Sequence, residues 1–388
     1  MTKKFLVLFC LSFLFVLFAT DNAAAVENPL SYQNNKFGIH ILFPQEINEA
    51  SGLINSNGGD WGYAVIPIQA TDKDLKKWQI FMDDAKKYHV IPIIRIATEG
   101  DYFKKDSWRK PRFEDVLDFA NFLDSLKWPT KNRYVVIFNE PNNRGEWGGD
   151  VNPSEYAKIL TYAVSVFKSK SQDFFMISAG LDNAASNRNG ISMNEYDYMR
   201  QMNAEIPGIF NQIDGFSSHS YPNPAFSQPP STQTQMSITS FRYEKNLVSE
   251  LGGKEDLPVF ITETGWSSKT LSEDLISSYL KEAFMSVWND ENIVAITPFI
   301  LKATAGPFVE FSFIRNDQTR SKVFDSIENM PKTKGQPSIT ADVLGENIQQ
   351  KMPPSVIRNF SDTKDGIVEN KIIISNTLKT VIKWLLKI

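Results

Sequence analysis

Eight short apolar runs recur between residues 37 and 301, and the stretches between several of them carry helical periodicity. No internal repeat, G-x-G-x-x-G or P-loop signature interrupts the alternation. These observations predict an α/β fold, a (β/α)8 TIM barrel with a short C-terminal appendage. Eight β/α units in about 290 residues is the size of one such barrel. An open doubly wound sheet is the alternative, though it does not usually run to eight units. Strands covered on both faces read as near-continuous apolar runs. Val90-Ile91-Pro92-Ile93-Ile94-Arg95-Ile96 and Tyr134-Val135-Val136-Ile137-Phe138 have that character.

In chain order, Lys3 and Lys4 precede an apolar run from Phe5 to Phe18, and Ala23-Ala24-Ala25 follows. That is the pattern of a signal peptide cleaved after Ala25, with an uncleaved anchor as the competing reading. The barrel is expected over residues 26–330. Its strands are predicted at 37–43, 61–68, 90–97, 134–138, 174–179, 215–221, 258–262 and 294–301. Helices are predicted at 72–88, through Leu75, Trp78, Phe81, Met82 and Ala85, and at 113–126, through Val116, Leu117, Ala120 and Leu123. Two more are expected at 154–167, after Asn152-Pro153, and at 272–288, with Ser272 as N-cap. Residues 331–338, Pro-Lys-Thr-Lys-Gly-Gln-Pro-Ser, read as a linker. In the tail, 377–388 places Leu378, Val381, Ile382 and Leu385 on one face, with Lys379, Lys383 and Lys387 elsewhere. A basic amphipathic helix of this kind suits contact with a membrane or cell envelope, or docking on the barrel or on a small appended domain.

The net charge is −4, and loss of Lys3, Lys4 and Asp21 with the leader makes it −5. A mildly acidic chain argues against a nucleic-acid partner. The single cysteine, Cys10, lies in the leader, so the exported chain carries no thiol and no disulfide. The three histidines, His40, His89 and His219, form no H-E-x-x-H motif, and there is no G-x-S-x-G elbow. Neither metal nor cofactor is expected. The protein is expected to be a secreted or envelope-associated monomer.

Active sites of such barrels lie at the C-terminal strand ends. Glu140 ends the fourth strand in Phe138-Asn139-Glu140-Pro141-Asn142, and Glu263 ends the seventh in Thr262-Glu263-Thr264-Gly265-Trp266. A lone charge is costly to bury at such a place. Two carboxylates facing one another across a barrel mouth have the geometry of glycoside hydrolysis, in which one protonates the leaving oxygen and the other attacks. His219 and Tyr221, on the sixth strand, share a parity and point the same way. Arg95 lies inside the third run as a buried cation, and His40 is near the end of the first. Trp266, Trp147 and Trp61 are candidate platforms for sugar rings. Glu99, Glu146 and Asp182 are reserve carboxylates, expected to contact substrate or solvent, and His89 is expected to be structural.

With Asn139-Glu140-Pro141 paired with Thr262-Glu263-Thr264-Gly265-Trp266, the chain resembles the clan A glycoside hydrolases, retaining cellulase- and xylosidase-like barrels, over about three quarters of its length. The resemblance implies that Glu140 is the acid/base, that Glu263 is the nucleophile and that Asn139 binds a sugar 2-hydroxyl. It implies that Tyr221 donates to Glu263 and that His219 contacts the acid/base or the sugar. Arg95 takes the place of an arginine the clan more often has near the second strand, and His40 is a sugar-binding candidate. The clan usually ends its eighth strand in tryptophan; here the strand ends Thr297-Pro298-Phe299-Ile300-Leu301, and Phe299 is the substitute. The expected activity is retaining hydrolysis of a β-linked oligo- or polysaccharide. A non-catalytic carbohydrate-binding barrel and an envelope transglycosylase are the alternatives.

Overall fold

The computed structural model describes residues 26–101 and 108–340. The leader with Cys10 and the basic segment 377–388 lie outside the described residues. The chain divides into two units, Met1–Ala341 and Asp342–Ile388, and the barrel belongs to the first. Among the described residues no helix is long and apolar enough to cross a membrane.

The barrel strands are β1 (Gly38–His40), β2 (Gly62–Gln69), β3 (Val90–Ala97), β4 (Arg133–Ile137), β5 (Phe174–Ile177), β6 (Phe216–His219), β7 (Val259–Glu263) and β8 (Ile293–Ile296). Parallel ladders join β1 through β5 in order, and β6 through β8. Single parallel bridges, Ile177 with Gly215 and Phe37 with Ile296, link the two sets into a ring. All eight strands begin within one residue of their predicted starts. The ladders of β1, β5, β6 and β8 stop two to five residues before the apolar runs do. Beyond those ends the ladder pattern breaks, but the side chains of Ile300 and Leu301 remain buried and the Leu301 amide still donates to the His40 carbonyl at 2.9 Å.

Helices α1 (Ile47–Ile54), α2 (Leu75–Lys87), α3 (Phe113–Asp124), α4 (Pro153–Lys170), α5 (Glu195–Glu205), α6 (Ser240–Glu250), α7 (Glu273–Met285) and α8 (Lys322–Glu328) accompany the strands. Asp74, Asn152, Ser272 and Ser321 cap α2, α4, α7 and α8 by accepting backbone N–H groups. The cap at Asp74 starts α2 three residues after the predicted 72, and leaves Leu75 exposed at its first turn. Leu117 also faces solvent, one position round from buried Val116. The sequence did not predict α1, α5, α6 and α8. The buried stripe of α5 is Tyr196, Tyr198, Met199 and Met202 rather than aliphatic, and that of α6 is interrupted by a buried glutamate, Glu244.

Alternation along the strands sorts two cores. Ala64, Ile66, Ile94, Ile96, Val135 and Ile137 point outward under the helices. Tyr63, Val65, Ile91, Ile93, Tyr134, Val136, Phe175 and Phe260 fill the barrel. Tyr134 contacts Tyr63, Phe175 and Phe260 edge-on or tilted, at ring separations of 4.9–6.2 Å. Gly215 is required beside this layer, because a Cβ there would approach Phe260 and Phe175 to 2.7 and 2.8 Å. Val26 and Leu30 pack against the same cluster at the N-terminal ends of the strands.

Residues 331–338 are not a free linker. Lys334 bridges Asp60, Gly335 donates to the Asp60 carbonyl at 2.9 Å, and Lys131 donates to the Ser338 carbonyl at 2.8 Å. The proline- and glycine-rich composition marks irregular backbone, but its polar groups are paired with the barrel floor.

Three buried carboxyls that do not line the cleft are raised by their burial. Burial raises Glu46 and Glu244 to about 7, and raises Glu195, one oxygen of which has no partner among the described residues, well above the usual range. Folded values above unfolded ones contribute stability that is complete below the unfolded value and is lost as pH rises through about 7. The melting temperature is therefore expected to fall between about pH 5 and about pH 8, and Glu244→Gln to flatten that fall. Melts at constant ionic strength check this; a flat profile in the native protein would contradict it.

Candidate active site

The C-terminal strand ends converge on a cleft of about 750 Å³ lined by Arg95, Asn139, Glu140, Glu146, Asp182, Tyr221, Glu263 and Phe299. Arg95 reaches it through parity: Ile91, Ile93 and Arg95 share one face of β3, the first two pointing into the barrel. Glu263 reaches it through a bulge. Ser218 pairs with Ile261, but His219 pairs with Glu263, so β7 carries one extra residue. Thr262 meets Ser217 at 2.5 Å, and the next side chain, Glu263, bonds with Arg95 and Tyr221. A bulge at a strand end re-aims a side chain in this way. Glu140 lies in a turn where Phe138 (φ 67°) and Glu140 (φ 33°) adopt the left-handed region disfavoured for side-chain-bearing residues. That turn is held by the Glu140 amide on the Gly180 carbonyl, at 3.0 Å, and the Asn143 amide on the Glu140 carbonyl, at 2.9 Å.

The two glutamates meet across His219. Its Nδ1 is 2.7 Å from Glu140 Oε1 and 3.8 Å from Glu263 Oε2. One oxygen of each carboxylate and a ring nitrogen of His219 lie within 4.8 Å of one another. Arg95 Nη1 donates to Glu263 Oε1 at 2.8 Å, and Tyr221 donates to Oε2 at 3.0 Å. Arg95 also bonds Asn139 Oδ1, and Asn139 Nδ2 donates to Glu146 Oε2 at 3.1 Å. Glu140, His219 and Glu263 form a donor set that could surround a cation, but Arg95, Tyr221 and His219 already supply positive charge and donors to these carboxylates.

The electrostatics separate the two carboxyls. Burial raises Glu140, and Asp182 and Glu263 add to the effect against the opposing contact with His219. Burial would also raise Glu263, but His219, Arg95 and the Tyr221 hydroxyl outweigh it and hold Glu263 below its ordinary value. His219 is raised by the two glutamates against its burial. His40 is pushed down to about 3 by burial and by Arg95, so it is neutral near pH 7.

Several candidates have other places. Trp147 is 0 % exposed; its Nε1 donates to Glu155, and its ring packs edge-on against Phe138 and Tyr156. It anchors the loop after β4 and offers no face to a ligand. Trp266, 3 % exposed, donates to the Gln228 carbonyl and packs on Tyr279 and Trp288. Trp61 stacks on His89 at the opposite end of the barrel. None of the three lines the cleft, and Trp266 lines a separate cavity of about 450 Å³ beside Pro298 and Phe313. His40, fully buried, lies 3.6 Å from Glu263 and edge-on to Phe299, behind the carboxylate rather than in the cleft. Phe299 does line the cleft, within an apolar flank shared with Leu42, Phe226, Phe308 and Phe311. The motifs did not single out these last four, since four scattered apolar residues leave no sequence signal. Of the reserve carboxylates, Glu99 is engaged by Arg109, and Asp182 accepts from Asn143 at 2.9 Å. Glu146 stands beside the central pair and is raised to about 7 by burial and by Glu140.

No family model and no curated protein matches the chain. Solved structures do. A GH39 β-xylosidase from Caulobacter crescentus superposes with a TM-score of 0.54 at 12 % identity, covering 79 % of this chain and 72 % of that one. A GH5_18 protein from Bifidobacterium longum subsp. infantis gives 0.53 at 10 % identity, with 77 % and 79 % covered. A family 39 glycoside hydrolase from Bacteroides cellulosilyticus gives 0.50 at 15 % identity, with 78 % of this chain covered; the chain spans 64 % of that enzyme's length. The chain therefore shares the (β/α)8 barrel fold with these glycoside hydrolases.

The seat of His219 depends on Gly180, where a Cβ would come within 2.1 Å of the imidazole Cδ2. Gly180→Ala is expected to displace His219 from Glu140 and to lower the melting temperature. Imidazole NMR shifts and thermal melts check this, with unchanged shifts as the contrary result.

Proposed function

We propose that the protein is a retaining glycoside hydrolase acting on a β-linked oligo- or polysaccharide, with Glu263 as nucleophile and Glu140 as acid/base. The observation that carries this reading is the approach of the two carboxylates to within 4.8 Å under opposite pKa shifts. Carboxyls about 5–5.5 Å apart suit a covalent glycosyl-enzyme, whereas inversion needs roughly 6.5–9.5 Å for an intervening water. An ionised Glu263, held by Arg95 and Tyr221, attacks the anomeric carbon, and a protonated Glu140 gives its proton to the leaving oxygen. Glu140, then ionised, takes a proton from the water that releases the sugar. The Phe299 flank supplies apolar surface for sugar rings. The leader read in residues 1–25 makes this an exported enzyme.

Glu263→Gln and Glu140→Gln are each expected to lower kcat by at least about 10³-fold on an activated aryl β-glycoside or a glycan the native protein cleaves. A 2-deoxy-2-fluoro glycosyl donor is expected to label Glu263, read by peptide mass spectrometry. Wild-type turnover in both variants would sink the proposal; a product of inverted anomeric configuration by NMR would sink its retaining form.

The pH profile is expected to be bell-shaped, with a basic limb set by Glu140, whose value is raised, and an acid limb set by Glu263, whose value is lowered. Tyr221→Phe removes a donor to the ionised carboxylate and is expected to move the acid limb of kcat/KM to higher pH. An unmoved acid limb would show that Tyr221 does not hold Glu263 in the free enzyme.

A further inference from the structure

The reaction proposed above uses two carboxyls, and of the others that line the cleft Glu146 stands beside this pair without a part in it. Glu146 follows Glu140 by six residues, in a loop wound back by the Asn143 amide on the Glu140 carbonyl and the Glu146 amide on the Asn143 carbonyl, at 2.9 and 3.1 Å. It forms no ion pair among the described residues, although Arg95 is near enough to influence its charge. A partly buried carboxyl without a cation is costly, so stability alone does not account for a glutamate at this place. Anchoring the loop does not need it, because buried Trp147 does that through Glu155, Phe138 and Tyr156.

Among the described residues, the one hydrogen bond to the Glu146 side chain comes from Asn139 Nδ2, at 3.1 Å. The amide oxygen of Asn139 is taken by Arg95 Nη1, the same atom that donates to Glu263 Oε1. Asn139 is thus gripped at both ends, by a donor at its oxygen and an acceptor at its nitrogen. These partners fix which end of the amide faces which way. The nitrogen carries two hydrogens and only one is used among the described residues. The amide lines the cleft and shares Arg95 Nη1 with Glu263 Oε1, and on a sugar attacked at C1 by Glu263 the hydroxyl nearest that carboxylate is the one on C2.

We infer that Glu146 is a positioning residue, which clamps the Asn139 amide so that its remaining N–H meets the hydroxyl at C2 of the sugar attacked by Glu263. The inference rests on the glycosidase reading. Hydrogen bonds to this hydroxyl strengthen in an oxocarbenium-like transition state. Losing the clamp therefore acts on kcat more than on KM. A glutamine at 146 presents a neutral carbonyl oxygen to Asn139 and restores the grip without the charge.

The test uses the full chain on 4-nitrophenyl β-glycosides and their 2-deoxy counterparts. Glu146→Ala is expected to lower kcat about 10–100-fold with KM changed little, and Glu146→Gln to recover most of the loss. The preference of the native enzyme for the 2-hydroxylated over the 2-deoxy substrate is expected to collapse in Glu146→Ala. Equal losses on both substrates with a lowered melting temperature would mark a structural role and overturn the inference, as would wild-type discrimination in Glu146→Ala. A native protein that cleaves no glycoside and takes no fluoro-sugar label removes the glycosidase reading, and the inference with it. An active native enzyme with unaltered variants removes the inference alone.

Discussion

The structure turns on the buried charge of Glu263. An isolated carboxylate at the mouth of an apolar barrel would take up a proton rather than stay ionised. Arg95, from the opposite side of the ring, supplies a full positive charge at 2.8 Å, and Tyr221 supplies a hydrogen at 3.0 Å. Neither partner stands alone, because Arg95 is shared with Asn139, and His219 lies between Glu263 and Glu140. The cluster is thus one network from four strands or their ends, and the position of each member depends on the others. Such networks hold geometry firmly when fully satisfied and lose much when one member is removed.

The network explains how two like residues come to differ. Glu263 is buried and Glu140 largely so, and desolvation pushes both upward. The difference lies in their neighbours: cationic and hydroxyl donors converge on Glu263, whereas Glu140 has one imidazole and the negative charges of Asp182 and Glu263. Two carboxyls pushed apart in this way hold the opposite protonation states that acid and base work requires. The aromatic layer below, around Tyr134, closes the barrel interior under the site and confines these groups to the mouth. On one flank of the cleft the rings of Phe226, Phe299, Phe308 and Phe311 replace the tryptophan platforms expected of Trp147 and Trp266. Neither of those tryptophans lines the cleft.

The strands, the two glutamates with their strand-end positions, and the convergence of His219 and Tyr221 on them were all legible in the sequence. Each rests on a local pattern: a continuous apolar run, a charge directly after it, or a shared parity. The tryptophans misled because an aromatic side chain near a motif has the same local signature whether it faces a cleft or a core. His40 was seen as a polar residue near a strand end, yet it stands behind the nucleophile candidate. Helices α5 and α6 escaped because tyrosine, methionine and a buried glutamate stand where an aliphatic stripe would be.

The sequence by itself determined the class of fold, the order of the strands and the identity of the paired carboxylates, because these follow from periodicities of two and 3.6 residues and from the energetic penalty of charge beside apolar strands. Only the tertiary structure decided which side chains share one space. The bulge that turns Glu263 inward, the sharing of Arg95 between Asn139 and Glu263, the return of Glu146 to the cleft and the absence of a side chain at Gly180 under the His219 ring arise from strands and loops far apart in the chain. No local pattern encodes such meetings; they exist because closing the ring brings eight separate strand ends to one mouth.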